Sequence, residues 1–333
     1  MLRSMYAGIT GLKNFQTKLD VIGNNIANVN TYGFKKDRTV FKDLISQTQS
    51  GASSPSATRG GVNPIQVGLG SQLSAIDTLH NPGSMQTTGR TLDLGISGDG
   101  FFMVADSAAE TAPNAADMAD LEANPLAAIE YTNVQYTRAG NFYMDRYGYL
   151  VAGDGKYLVG SANEELHATQ VDDDVPAESF SDRDKQNMNL GIEDLNADGA
   201  WLNTDLAEIK PIRIPTNAQS MTVGQDGSVF YVDVNGEMQF AGQLLLAKFP
   251  NASGLQKEGS NYFKTTSNSG APIVQTGGNA GIGSVQSGFL EMSNVDLSEE
   301  FTEMIVAQRG FQANTRIFTT SDEILQELVN LKR

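Results

Sequence analysis

The C-terminal end of the chain carries apolar residues at strict steps of seven, and this feature restricts the possible fold more than any other. The residues concerned are Leu297, Met304, Phe311, Phe318 and Leu325. A spacing of seven returns side chains to one face of an α-helix and is typical of helices that pack along a seam. Asp296, followed three residues later by Glu299, resembles a capping pair. The pattern therefore predicts a long amphipathic helix that begins near residue 296.

The N-terminal end has a similar pattern. Its apolar residues, in part seven positions apart, are Leu2, Met5, Ile9, Leu12, Phe15, Leu19, Ile22, Ile26 and Val29. The pattern ends in Asn28, Asn30 and Thr31, and Gly33 follows, as at helix ends that have a left-handed cap. A helix over about 3–30 is predicted.

All ten prolines lie between Pro55 and Pro272, so long helices are expected only at the two ends. The middle has strand composition and glycine turns, and Asn235–Gly236 is a hairpin signal. The predicted strands are Leu92–Ile96, Phe101–Val104, Tyr149–Val151, Ile212–Ile214, Ser228–Val234 and Gln243–Phe249. The expected fold class is α+β, in which the two terminal helices pair as a coiled coil and a mainly antiparallel β region forms one or more outer domains.

Charge is distributed unevenly along the 333 residues, whose net charge is −16. Residues 1–50 carry seven basic and three acidic side chains, whereas residues 291–333 carry four basic and eight acidic ones. The two ends are therefore electrostatic complements. The stretch 106–210, with 6 basic and 21 acidic residues, holds most of the negative charge. This balance argues against nucleic-acid binding, which needs clustered Lys and Arg.

Several kinds of site are excluded by composition. The chain has no cysteine, which excludes disulfides, thiolate metal sites and a cysteine nucleophile. No apolar run approaches the roughly 20 residues that span a bilayer, so no membrane insertion is expected. The N-terminus lacks the apolar region of a cleavable signal peptide. Nucleotide-binding and hydrolase motifs are absent, so we predict no catalytic residues and no cofactor.

One segment resembles a calcium-binding loop. Asp194, Asn196, Asp198 and Asp205 match its ligand spacing, and Gly199 stands where the loop turns sharply. The last ligand is Asp where the pattern has Glu, and such clusters also occur as ordinary turns in acidic surface loops. Both interpretations stay open at this stage.

The terminal helices also allow two interpretations. They could be amphipathic helices that pack on their own domain. Alternatively, the oppositely charged helices pair with each other and with copies from other subunits.

Longer stretches resemble the axial proteins of the bacterial flagellum, the family that forms its rod and hook. The segments that carry the resemblance are MLRSMYAGITGL at the start, LDVIGNNIANVNTYGFKKDRTVF at 19–41, TGRTLDLGISGDGFFMV at 88–104, YTRAGNFYMDRYGYLV at 136–151 and the region 287–333. Within the family, VDLSEEFTEMIVAQRGFQAN and the chain length resemble the hook members, especially the version of Bacillus-like bacteria. The distal rod members are the alternative.

The resemblance implies a structural subunit, not an enzyme, that polymerises into a short curved tube joining rod to filament and transmitting motor torque. It implies an extracellular flagellar location, reached by type III export without a cleaved signal peptide. The implied partners are copies of the chain itself, the distal rod protein, the hook cap protein, the hook–filament junction protein and the export apparatus.

The resemblance also implies a division of the chain. Residues 1–30 and 296–333 form the coiled coil of the inner tube, and residues 31–72 and 284–295 are extended linking segments. Residues 73–160 and 209–283 form a β-rich domain that includes an acidic insertion at 106–130. A second acidic insertion, at 161–208, could form a small outer module. The expected subunit interface consists of the apolar seam residues of both helices, namely Leu2, Met5, Ile9, Leu12, Phe15, Leu19, Ile22, Ile26, Val29, Leu297, Phe301, Met304, Phe311, Phe318, Leu325, Leu328 and Val329.

A competing class is a secreted acidic protein, either a calcium-dependent adhesin or a glycan-active enzyme. The acidic insertion at 161–208 is its main support.

Overall fold

A computed structural model describes residues 2–55, 58–107, 131–162, 210–279 and 281–331. The chain divides into two compact units. Unit 1 consists of Met1–Asn30, Lys35–Asn81 and Asn294–Arg333, and unit 2 consists of Thr31–Phe34 and Pro82–Ser293. Most of both predicted insertions, including the calcium-loop candidate Asp194–Asp205, lies outside the described residues.

Unit 1 contains two long helices, α1 at Leu2–Ala27 and α2 at Leu297–Leu331. The predicted start of α2 is confirmed, because the Asp296 carboxylate accepts hydrogen bonds from the backbone N–H of Ser298 at 2.8 Å and of Glu299 at 3.4 Å. Helix α1 ends three residues earlier than predicted. At its end, the side chain of Asn28 donates to the carbonyl of Asn24 at 3.0 Å and so satisfies a backbone group of the last turn.

Unit 1 also contains four strands: β1 Asp37–Asp43, β2 Ser46–Ser50, β3 Ile65–Gly68 and β4 Ser71–Thr78. Strand β1 pairs with β4 and β2 pairs with β3, both antiparallel. The start of β4 packs on α1, where Asn14 donates to the Ser71 hydroxyl at 2.8 Å. The predicted linking segment 31–72 thus contains paired strands, which satisfy much of its backbone, and the division of the chain that it belongs to stays a prediction.

Unit 2 contains sixteen strands among its described residues. They are β5 Met85–Thr87, β6 Leu94–Ser97, β7 Phe101–Ser107, β8 Tyr131–Thr137, β9 Tyr143–Met144, β10 Leu150–Val151, β11 Tyr157–Ala162, β12 Lys210–Pro211, β13 Ser220–Val223, β14 Ser228–Val232, β15 Met238–Lys248, β16 Gln256–Gly259, β17 Tyr262–Lys264, β18 Ile273–Thr276, β19 Ser284–Ser287 and β20 Phe289–Glu291.

Twelve of these strands form one sheet, whose main path runs β13-β14-β15-β11-β7-β8-β17-β16. Strands β6 and β19 form a two-stranded sheet, as do β5 and β20. Within the described ranges, all strand pairings of unit 2 are antiparallel. The prediction of two long helices around a mainly antiparallel β region is therefore confirmed.

The core of unit 2 lies on both faces of its sheet. Adjacent residues of β7 point to opposite faces. Phe101 meets the rings of Phe249 and Phe263 edge to face, at centroid distances of 5.8 and 5.7 Å, whereas Phe102 meets Phe142 at 5.2 Å. Two separate clusters of buried residues result, which give unit 2 a hydrophobic core of its own.

Two sequence signals for β structure had different outcomes. The Asn235–Gly236 hairpin is confirmed, since it joins β14 to β15 and the Gly236 N–H donates to the Asp233 carbonyl at 2.9 Å. The prediction of a strand at Ile212–Ile214 is wrong. Only the short β12 forms before it, and Arg213 makes an isolated bridge with Tyr149.

Two glycines of unit 2 form a matched pair for testing this packing. Gly148 and Gly236 have positive φ angles of 88° and 82°, but a Cβ on Gly148 would lie 1.9 Å from the Ile214 carbonyl oxygen, whereas one on Gly236 would have no atom within 4 Å. We expect Gly148→Ala to lower the free energy of unfolding by roughly 3 kcal/mol or more, and Gly236→Ala by about 1–2 kcal/mol. Chemical denaturation measures both, and equal losses would contradict the close contact.

Candidate subunit interface

Helices α1 and α2 pack antiparallel within unit 1. Lys18 forms an ion pair with Glu303, and a Cβ added to Gly310 would lie 2.5 Å from the ring of Phe15. A Cβ added to Gly11 would lie 2.8 Å from the Asn314 side chain. As the residue number rises along α1, the partner's number falls along α2. This arrangement defines an antiparallel contact.

The side of α2 that faces α1 is made largely of small or polar residues. Ala307 is fully buried, Glu300 and Ser321 are buried, and Gly310 lies beneath the Phe15 ring. Glu300 is held there by a hydrogen bond at 3.2 Å from the side chain of Asn25, which is also buried. Small residues at these positions let the two helix backbones approach closely.

Ion pairs join the basic N-terminal region to the acidic start of α2. Lys36 lies 2.7 Å from Glu299 and 3.8 Å from Glu300, in addition to the pair between Lys18 and Glu303. The opposite charges of the two ends therefore meet within one chain, as their sequences predict. Glu299 is exposed and Glu303 is half-buried, so these pairs mainly set register and add little stability.

Much of the apolar surface of the helices stays exposed in the single chain. Val306 is 55% exposed and Phe301 is 49% exposed. The other large apolar residues of the helices that are exposed are Tyr6, Ile9, Leu297, Ile305, Phe311, Ile317, Phe318, Ile324 and Leu331. An apolar surface of this extent is typical of a protein–protein contact site.

Many of the exposed apolar residues of α2 lie on the flanks of its contact with α1. Successive residues of an α-helix are about 100° apart. Measured from Ala307, this places Val306, Ile317 and Ile324 roughly 80–100° to one side, Phe301 roughly 120° to the other, and Ile305 nearly opposite. Helix α1 therefore leaves apolar surface of α2 uncovered on both sides. Two further neighbours would be needed to bury both flanks.

The residues predicted as a subunit interface differ in their exposure within the single chain. In α1, Ile22 is buried and Ile9 is exposed, while Met5, Leu12, Phe15, Leu19 and Ile26 are half-buried. In α2, Met304 and Leu325 are half-buried, whereas Leu297, Phe301, Phe311 and Phe318 are exposed. The side chains of Leu2, Leu328 and Val329 lie outside the described part, and half-buried Val29 lies in the turn after α1. The interface itself stays a prediction.

Sequence reasoning missed five exposed apolar residues of α2: Ile305, Val306, Ile317, Ile324 and Leu331. A signal for part of this set was present, because Ile317, Ile324 and Leu331 also recur at steps of seven.

A further exposed apolar surface lies outside the helices. The paired strands β2 and β3 are almost wholly exposed, and nearby Ile45, Val62 and Ile65 are 81%, 53% and 56% exposed. An isolated two-stranded hairpin is marginal in water. This segment is therefore a second candidate for contact with another molecule.

The described residues contain no group of three or more His, Asp or Glu side chains that could hold a metal ion. Among the same described residues, no helix is both long enough and apolar enough to cross a membrane. The calcium-loop candidate stays a prediction because it lies outside the described ranges.

Three family models match separate parts of the chain. The model described as Flagella basal body rod protein matches residues 5–35, and that described as Flagellar hook protein FlgE/F/G D1 domain matches residues 129–231. The model described as Flagellar basal body rod FlgEFG protein C-terminal matches residues 286–331.

Individual relatives align over the full chain. The flagellar basal-body rod protein FlgG of Bacillus subtilis is 48% identical over 334 residues, covering 100% of both chains. From Borreliella burgdorferi, the flagellar hook protein FlgE is 32% identical over 466 aligned positions and the rod protein FlgG 32% over 336, again with 100% of both chains covered. Among solved structures, the Helicobacter pylori hook protein FlgE2 covers 62% of this chain and 100% of its own, with a TM-score of 0.35 and 10% identity, too low to support an inference.

Proposed function

Because this chain belongs to the family of flagellar rod and hook axial proteins, a structural family, we propose that it is a subunit that polymerises with copies of itself into part of the flagellar axial tube. The terminal helices would form the inner wall of this tube as a coiled coil.

The observation that carries the proposal is the apolar surface on both flanks of α2. A chain that exposes Val306, Ile317 and Ile324 on one flank, Phe301 on the other and Ile305 nearly opposite the contact leaves much apolar surface in water. Each buried side chain of this kind contributes roughly 1.5–3 kcal/mol. Copies arranged around an axis cover each other's flanks by one repeated contact, which closes into a ring or continues as a helical polymer.

Between the two positions in the tube, we propose the distal rod. The B. subtilis rod protein is 48% identical and aligns over 334 residues, which matches the 333 residues of this chain. The hook relatives align over 466 and 467 positions, so they contain long segments that have no counterpart here.

The hook, which the sequence favoured over the rod, is the second candidate. The B. burgdorferi hook protein is 32% identical to this chain, the same value as the rod protein of that organism. In either position, the proposed partners are neighbouring axial proteins and the type III export apparatus, with the hook cap and hook–filament junction proteins added for the hook. The proposed location is the flagellum, outside the cytoplasm.

Immunogold electron microscopy of isolated hook–basal bodies tests the position. An antibody raised against residues 161–208 should place gold on the straight rod. Gold along the curved hook would move the assignment to the hook. Absence of gold from both, with the epitope accessible in the purified chain, would overturn the proposed function.

A further inference from the structure

Glu291, at the end of β20, binds three segments of unit 2 that are distant in sequence. Its carboxylate accepts a hydrogen bond from the Gly83 N–H at 2.8 Å and from the Arg138 guanidinium at 3.1 Å. Its backbone carbonyl accepts from the Gly33 N–H at 2.8 Å. The Glu291 side chain is 1% exposed and that of Arg138 is 2% exposed. This ion pair is therefore shielded from water.

Arg138 connects the pair to the core of unit 2. Its guanidinium also donates to the carbonyls of Gly98 at 2.8 Å and Ile96 at 3.4 Å, and it lies 5.4 Å from the centre of the Phe101 ring. Ile96 and Phe101 are themselves core residues. The segments that are bonded to Glu291 are therefore connected through Arg138 to the core of unit 2.

The segments that Glu291 binds are those by which the chain enters and leaves unit 2. The chain passes between the two units at 30/31, 34/35, 81/82 and 293/294. Gly33 and Gly83 each lie within three residues of such a passage, and Glu291 lies within three residues of the last. All covalent connections of unit 2 to the rest of the chain thus run next to one buried carboxylate.

Close backbone packing fits this arrangement. Gly33 has a φ of 69°, and a Cβ there would lie 2.6 Å from the carbonyl carbon of Arg138. A Cβ on Gly83 would lie 2.1 Å from the Met292 carbonyl oxygen. Glycine at both positions lets the backbone N–H groups reach Glu291.

Further bonds secure the same segments. Asn261 donates to the Tyr32 carbonyl at 3.1 Å, and the Met292 N–H donates to the Ser84 carbonyl at 2.9 Å. A buried ion pair is weak evidence for stability, since apolar residues of similar volume often serve as well. Its particular contribution here is to fix backbone groups of three segments at one point.

We propose that Glu291 and Arg138 form a clamp that fastens the chain connections of unit 2 to its core. Force carried by these connections in the polymer would then reach the core without separating β5 from β20. The clamp is a positioning device, and its mechanical role rests on the proposed function.

The main test is hydrogen exchange in the full-length chain with Glu291→Gln, which keeps the size of the side chain but removes its charge. We expect exchange of the Gly83 amide, which donates to the Glu291 carboxylate, to rise about tenfold or more, because hydrogen bonds to charged groups are the stronger ones. The Gly33 amide donates to the Glu291 backbone carbonyl, so its exchange should rise less, through loosening of the end of β20 once the ion pair with Arg138 is lost. The amides of β13 and β14 should exchange as in the parent. Unchanged exchange at Gly33 and Gly83 would overturn the clamp.

Asp106→Asn is the matched control. It breaks another ion pair of unit 2, in which Asp106 lies 2.7 Å from Lys156 and this bond lowers the pKa of the carboxyl. Neither residue contacts the chain connections, so exchange at Gly33 and Gly83 should not change. A rise equal to that of Glu291→Gln would mean that any lost ion pair loosens these segments, which would overturn the proposal.

A double variant, Arg138→Met with Glu291→Met, separates the clamp from stability and serves also if the single variant fails to fold. Apolar replacement of both charges should return the melting temperature close to that of the parent. Exchange at Gly83 should stay raised because its carboxylate acceptor is gone. Parent-like exchange in this variant would show that the pair only fills space, and would overturn the clamp.

The exchange measurement does not depend on polymerisation. Unchanged amide exchange in Glu291→Gln would overturn the clamp and leave the axial-subunit proposal intact. Absence of gold from rod and hook would overturn the axial-subunit proposal and leave the exchange result intact. Cells that carry Glu291→Gln should assemble flagella and swim in dilute medium, but lose motility at high viscosity. Parent-like motility at high viscosity would overturn the mechanical role.

Discussion

Val306→Asp is expected to abolish polymerisation while the single chain stays folded. Val306 is 55% exposed in the chain, so its replacement should change the free energy of unfolding by no more than about 0.5 kcal/mol. In a polymer that buries this flank of α2, each copy would bury an unpaired carboxylate, at a cost of several kcal/mol. Sedimentation velocity and electron microscopy, under conditions where the parent forms tubes, measure the loss.

Two variants of the same helix control for this result. Val306→Leu keeps the flank apolar and should still polymerise. Thr320→Asp adds the same charge at an exposed polar position and should be tolerated better than Val306→Asp. Normal tubes from Val306→Asp would contradict a buried flank and favour helices that pack only on their own domain.

Gly310→Leu is expected to break the pairing of α1 with α2. Even a Cβ at this position would lie 2.5 Å from the Phe15 ring, and a leucine adds three more carbons to the same space. Overpacking of this kind costs typically about 1–3 kcal/mol. The melting of unit 1, followed by circular dichroism at a helical wavelength, should shift to lower temperature, and polymers should be lost with it.

The antiparallel register makes a specific rescue possible. Phe15→Ala removes the ring that Gly310→Leu strikes, so the double variant should recover part of the lost stability, and the two changes should not be additive. Gly23→Ala is the control on α1. A Cβ at Gly23 meets no atom within 4 Å, so this change should stabilise the helix by about 1 kcal/mol. Additive losses for Gly310→Leu and Phe15→Ala would contradict the register.

Much of the candidate interface followed from sequence because helix periodicity is a local property. The seam at Leu297, Phe311 and Phe318 identified the apolar side of α2, and these residues are exposed in the single chain. Sequence could not tell which part of this side meets α1. That choice depends on Ala307 and Gly310, whose small size matters only when another helix lies against them.

Gly33 shows the same limit at a single residue. Its position after Asn28 and Asn30 favoured a helix cap, and its φ of 69° is indeed left-handed. The helix, however, ends at Ala27, and Gly33 instead packs against the backbone of Arg138 and Ala139. A local signal predicted the conformation, whereas a contact across more than a hundred residues explains it.

The sequence by itself determined the elements of this protein: two long terminal helices, a capped start at Asp296, a middle of antiparallel strands and the flagellar family. These depend on side-chain periodicity, capping and turn chemistry, which act over a few residues. Only the tertiary structure decided the helix register, the exposed flanks of α2 and the meeting of Gly33, Gly83 and Arg138 at Glu291. Those contacts join residues far apart in the chain, and their energy exists only once the backbone has brought them together.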